Sequence, residues 1–274
     1  MGTILTKKIQ GPAAWKGKEL SKDDSWIYYL SEKMIASLES ALRQVRQRGL
    51  TVPDFTKEDF PLPDLQDEIA CFVDELENGR GFLLIRGLPI ERYSDEEASI
   101  IYYGIGLHMG TPVAQNPRDE MLGHVKAVGD PKDKNTRVYQ TNNLLPYHTD
   151  LSDVVGLLSL RKAKSGGVSS LVSVITAYNE ILEKHPELLG LFYRRYFFAH
   201  LGEEVPTLSP IFSYYQEKLS CRYLREYIEL GQEQSGIELS KVEIEAFDLL
   251  DSILHDEEIR FDMMLEPGDM QFAN

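Results

Sequence analysis

The sequence predicts a mainly β fold of two sheets wrapped by inserted helices, with a helical arm in front of it. Three observations carry this. Short β-rich segments punctuated by Gly, Pro or Asn dominate from about residue 121 onward. Strands and helices do not alternate regularly, which argues against a parallel doubly wound sheet. The first 50 residues also stand apart, with nine Lys and Arg against five Asp and Glu in a chain of net charge −15.

Taken in order, Trp26, Tyr29, Leu30, Met34, Leu38, Ala41, Leu42 and Val45 recur at three and four residues, which predicts one amphipathic helix capped at Ser25 and stopped at Gly49. Its stripe can lie on the body or pair with a second copy of the chain. Leu65, Ile69, Phe72, Val73 and Leu76 mark a second helix, and 81–86 reads as a buried strand. Ser94 and Glu97 form a capping box that opens a helix toward His108. Strands are expected at 124–128, 137–140, 154–160 and 168–175, and helices at 176–184 and 186–196. A hairpin is expected across 210–215 and 219–223, and an acidic helix over 240–255. The chain then reads as strand 259–265, a tight turn at Glu266-Pro-Gly-Asp269, and strand 270–273.

Composition excludes several classes. An acidic surface repels phosphate backbones, so nucleic acid is not an expected partner. No apolar run is long enough to span a membrane, and no signal-peptide pattern opens the chain, so the protein reads as cytoplasmic. Cys71 and Cys221 cannot make a disulfide framework and read as buried thiols. Met1-Gly-Thr-Ile-Leu-Thr6 matches the loose acylation pattern at Gly2.

The candidate for metal chemistry is His148-Thr-Asp150. Residues two apart on an extended segment share a face, so an imidazole nitrogen and a carboxylate oxygen can meet on one ion. These are two legs of the two-His, one-carboxylate arrangement that leaves positions open on non-haem Fe(II). Chance supplies about one His-x-Asp/Glu in such a chain, and this one holds three. His185-Pro-Glu187 and His255-Asp-Glu257 sit at helix ends, where the dipole explains them. His108, His124 and His200 read as structural histidines.

Asn142-Asn-Leu-Leu-Pro-Tyr-His148-Thr-Asp150, Gly166-Gly-Val-Ser169, Leu265-Glu-Pro-Gly-Asp269-Met-Gln-Phe272 and Gly81-Phe-Leu-Leu-Ile-Arg-Gly-Leu-Pro89 occur in an order that resembles the Fe(II)/2-oxoglutarate-dependent dioxygenases of the taurine dioxygenase (TauD/TfdA) family. The resemblance spans about 65–274. It implies a double-stranded β-helix, or jelly roll, over 61–274 behind a helical arm over 1–60, with Fe(II), 2-oxoglutarate and O2 as the reacting set. His148 and Asp150 match the first two iron ligands and are the expected catalytic residues. Ser169 stands where relatives place a Thr that contacts 2-oxoglutarate. Asn142, Asn143 and Tyr147 could offer hydrogen bonds to substrate. In the family a second His ligand and a carboxylate-binding Arg follow the Pro-Gly-Asp turn, so the resemblance implies a native chain that continues past Asn274.

The expected activity is oxidation of a C–H bond, by hydroxylation, desaturation or cyclisation, in a small soluble substrate such as an amino acid, organic acid or natural-product intermediate. Two rivals stand beside it. One is a non-catalytic jelly-roll binding or regulatory protein, and the other a hydrolase using metal-bound water at His148 and Asp150. A homodimer through the first long helix is a further expectation.

Overall fold

The computed structural model describes residues 3–22, 24–116, 119–125, 145–200 and 205–274. A four-stranded sheet lies at its centre, in the order β1 (Ile27–Tyr29), β2 (Phe82–Arg86), β10 (Met270–Ala273), β3 (Val155–Leu158). β1 is parallel to β2. β10 is antiparallel to both its neighbours, with Gln271 opposite Leu84 on one side and Leu157 on the other.

One face of this sheet carries helices α2 (Glu32–Gln47), α3 (Gln66–Glu77) and α4 (Asp95–Met109). Ser31 caps α2 by accepting from the Met34 N–H, and Ser94 and Glu97 form the expected capping box on α4. Met34, Leu38, Ala41, Leu42 and Val45 of α2 are buried in one core with Ile100, Ile101 and Ile105 of α4. Each of these side chains larger than Ala41 is worth about 1.5–3 kcal/mol when buried. The stripe that sequence left open to a second subunit is therefore covered within the chain. The helix is also shorter than expected, because Ile27–Tyr29 pairs with β2 and Trp26 packs edge-on against Phe261 at 4.9 Å. Ser31, rather than Ser25, is the cap that the backbone uses.

The opposite face meets a two-stranded sheet of β4 (Val168–Leu171) and β9 (Phe261–Met264), with Trp15, Phe82, Phe261 and Met263 filling the space between. The piece expected as strand, tight turn and strand over 259–273 is found. Its two strands belong to different sheets, and the Glu266–Asp269 turn carries the chain from one to the other. Gly268 makes this possible, since its φ is +90° and an added Cβ would fall 2.0 Å from the Leu88 carbonyl oxygen.

A second core joins α5 (Val174–Lys184), α6 (Leu189–Phe192), α7 (Arg225–Gln234) and α8 (Lys241–Leu254) to two hairpins. These are β5 (Arg195–Phe198) with β6 (Thr207–Pro210), and β7 (Phe212–Tyr215) with β8 (Lys218–Cys221). The helix expected over 186–196 survives only as α6, because Tyr196 and Phe198 alternate into the core as strand residues. Strand 168–175 ends at Leu171, where Ser173 caps α5. Helix α7 was not anticipated. Its Gly231 lies so close to β5 that a Cβ would be 2.4 Å from the Phe197 carbonyl.

The first residues lie along α5, whose side chains grip their backbone. Tyr178 donates to the Leu5 and Lys7 carbonyls, Asn179 donates to Ile9 O while accepting from Ile9 N–H, and Thr176 donates to Trp15 O. The short helix α1 (Gly17–Leu20) then leads to β1. Cys221 is half-buried, and loss of solvent around its thiol pushes it up to about 12, while Cys71 is exposed, contrary to expectation. Among the described residues no helix is long and apolar enough to cross a membrane. Residues 126–128 and 137–140, two expected strand stretches, and Gly2 lie outside the described residues, and His124 and Val125 are not in a strand.

Candidate iron site

Residues 145–150 run as an irregular segment, not the strand that the spacing suggested. The alternation of side chains is kept by other means. Thr149 turns toward Tyr223, its N–H donating to the Tyr223 carbonyl at 2.8 Å and its Oγ1 accepting from the Tyr223 N–H at 2.9 Å. His148 and Asp150 flank that clamp in the chain. His148 Nδ1 lies 2.8 Å from the Pro146 carbonyl, an acceptor, so Nδ1 donates there and Nε2 is the ring nitrogen left to meet a ligand. That Nε2 is 3.9 Å from Asp150 Oδ2.

The clamp is itself fixed. Tyr223 is buried and donates to Asp251, and burial together with that carboxylate pushes its hydroxyl far above the ordinary value of 10.0. Arg225 reaches Glu229, Asp248 and Asp251. Burial alone would make it easier to deprotonate, but the three carboxylates outweigh that and hold it charged.

Tyr147 faces elsewhere. Its hydroxyl is 2.5 Å from Ser170 Oγ, which donates to Asp262, and its ring packs edge-on against His255. The phenol thus ties the segment to β4. Asn142 and Asn143 lie outside the described residues. Ser169 points between the two sheets and donates to Gln271 Oε1 at 2.7 Å. Sequence reasoning passed over Gln271, though a polar residue alternating with Met270 and Phe272 on a buried strand was a signal. It also passed over the link between two of its own motifs, since Arg86 grips Asp269 with Nε and a terminal nitrogen at 2.9 and 2.6 Å.

Three other histidines have structural partners. His108 Nε2 meets the Phe60 carbonyl, His255 Nδ1 the Asp251 carbonyl, and His200 lies between Thr207 and Arg222. Among the described residues no third His, Cys, Asp or Glu joins His148 and Asp150 in a metal-binding group. The pair still fits Fe(II) as two of three ligands, with one neutral nitrogen donor of fixed tautomer and one anionic oxygen donor on a single side of the segment.

The model of the family described as "Taurine catabolism dioxygenase TauD, TfdA family" matches residues 46–274. This chain belongs to the TauD/TfdA family. A curated relative, FR-33289 synthase of Streptomyces rubellomurinus, is 37% identical over 282 residues, covering 100% of this chain and 83% of the relative. Among solved structures, asparagine oxygenase in complex with Fe(II), 2S,3S-3-hydroxyasparagine and succinate is similar with TM-score 0.66 at 16% identity, covering 90% of this chain and 84% of that one. OrfP in complex with Fe, succinate and (3R,4R)-dihydroxy-L-Arg is similar with TM-score 0.64 at 15% identity, over 90% and 85%. As a TauD/TfdA protein the chain is a non-haem Fe(II)- and 2-oxoglutarate-dependent dioxygenase, and the non-catalytic and hydrolytic readings fall away.

Proposed function

We propose that His148 and Asp150 are two of the protein ligands that hold the Fe(II) of this dioxygenase. The observation that carries the assignment is the bonding of His148, whose Nδ1–H is taken up by Pro146 while Nε2 stands 3.9 Å from the Asp150 carboxylate. Both side chains remain partly open, at 24% and 53% exposure, so an ion can reach them. Iron bound here, with 2-oxoglutarate as co-substrate, would supply the power to oxidise a substrate C–H bond with O2.

The chain's own residues do the positioning. Pro146 fixes the imidazole tautomer, Thr149 and Tyr223 set the direction of both ligands, and Tyr147 fastens the segment to β4 through Ser170. The four-stranded sheet and the β4–β9 pair form the two faces of a jelly roll in this reading, with the site at its mouth. Residues 1–60 serve as a helical region dispensable for the iron chemistry itself. The substrate is an amino acid or a related small natural-product intermediate. That proposal draws support from the similar structures, which hold hydroxyasparagine and dihydroxyarginine.

Anaerobic Fe(II) titration of the full-length protein, with and without 2-oxoglutarate, tests the site. The expected result is one Fe(II) per chain and a chelate absorption band only when both components are present, followed by succinate release with an amino-acid panel. Equal iron binding in His148→Ala and the parent would overturn the ligand assignment.

A further inference from the structure

The residues on either side of His148 lead, by separate contacts, to one residue in the last turn of α8. On one side, Thr149 is bonded to both main-chain groups of Tyr223, whose hydroxyl donates to Asp251 Oδ1 at 2.7 Å. On the other, the Tyr147 ring meets the His255 ring edge-on at 4.9 Å, and His255 Nδ1 lies 2.8 Å from the Asp251 carbonyl. One arm therefore ends on the Asp251 side chain and the other on its main chain. The second carboxylate oxygen, Oδ2, accepts from Arg225 at 2.7 Å, so the carboxylate is fixed at both oxygens.

The two elements joined in this way differ in firmness. Residues 145–150 are irregular and have no strand ladder to hold them, whereas α8 buries Ala246, Phe247, Leu250, Ile253 and Leu254 in the second core. Metal ligands need their direction fixed closely, and a packed helix supplies that better than a loop does. We infer that Asp251 is a positioning residue for His148, holding the neighbours on both its sides from α8. It acts through Tyr223 and His255, not at the metal. This rests on the reading of His148 and Asp150 as iron ligands given above. Tyr147 keeps a further tie of its own, through its hydroxyl to Ser170 on β4, so the Asp251 side chain bears chiefly on the Thr149 side.

Anaerobic titration of the full-length protein tests this, with Fe(II) for affinity and with Co(II), whose visible ligand-field bands report the geometry of the site. Asp251→Ala cuts the Tyr223 arm and leaves His255 on the main-chain carbonyl. It is expected to raise the Kd for Fe(II) by about tenfold, the lower end of what outer partners of a metal ligand supply, and to alter the Co(II) bands. Tyr223→Phe removes the same arm, so it should have the same effect, with no further change in the double variant. His255→Ala cuts the other arm and should add to either. Arg194→Ala is the control, because Arg194 pairs at 2.7 Å with the buried Glu243 in the first turn of α8. It should lower the melting temperature and leave the Kd and the Co(II) bands as in the parent. Parent-like Fe(II) affinity and Co(II) bands in folded Asp251→Ala overturn the inference, and so does an equal change in Arg194→Ala, which would make the effect one of stability alone. If Asp251→Ala does not fold, parent-like behaviour of Tyr223→Phe overturns it instead. A parent protein that binds neither metal refutes the iron-ligand reading itself, a different result from metal binding that the variants leave unchanged.

Discussion

Asp150 and Asp269 each sit in a motif shared with the TauD/TfdA family, and they are held in opposite ways. Asp269 is 1% exposed, takes two bonds from Arg86 and a third from the Glu266 N–H, and its backbone is tied to Ser159. Asp150 is 53% exposed and has an imidazole nitrogen 3.9 Å away. A carboxylate whose lone pairs the protein fills is part of the frame, and one left largely open beside an imidazole suits the iron-ligand role proposed for Asp150. Arg86 clasps β2 to the turn before β10 with a two-point charge-assisted pair, a restraint that Asp150 lacks.

That contrast can be broken most sharply at the proposed ligands. Asp150→Ala or His148→Ala is expected to cost more than the about tenfold to hundredfold in Fe(II) affinity that outer partners of a metal ligand supply, with the melting temperature nearly unchanged. Metal titration beside thermal melts checks both halves. The clasp should show the reverse. Arg86→Ala leaves the buried Asp269 carboxylate uncompensated and is expected to destabilise the fold by about 3–5 kcal/mol, read by denaturant unfolding. Comparable iron loss in the folded fraction of that variant would undo the distinction.

Thr149 lies between the two extremes. Thr149→Val keeps the shape and strands the Tyr223 N–H, so a cost of about 1–3 kcal/mol is expected, together with looser Fe(II) binding measured by the same titration. The smallest effect concerns Glu180 on α5, whose side chain is 8% exposed and paired with Lys16 and Lys184. Burial would raise its pKa, but the two lysines outweigh burial and hold it below the ordinary 4.5. Its contribution is therefore present above that value and lost as pH falls through the lowered one. Melts of Glu180→Gln and the parent should diverge near neutrality and converge in acid.

The sequence made the local signals readable. Ser94 with Glu97 and the stripe from Met34 to Val45 state their geometry within a few residues, and both are found. Long-range pairing was not readable. Nothing near Pro267-Gly268 says that β9 and β10 part company, because that depends on the Leu88 carbonyl and on Arg86 far away. Trp26 to Leu30 fitted a helix by period and became a strand because β2 offered an edge and Phe82 and Phe261 offered rings. At the site, His148 and Asp150 were legible as a spacing, whereas the Pro146, Thr149 and Tyr223 bonds that orient them depend on tertiary structure.

The place of β10 has a consequence for how the protein forms. This strand fills the gap between β2 and β3 and bonds to both, so two segments made early in synthesis have no common partner until residues 270–273 leave the ribosome. Pairings of such large sequence separation close slowly. The helical face over α2, α3 and α4 can gather beforehand, with the apolar edge of Leu83 and Ile85 waiting beside it. Nascent chains lacking β10 are thus expected to be the species that chaperones hold and that aggregate when they are scarce.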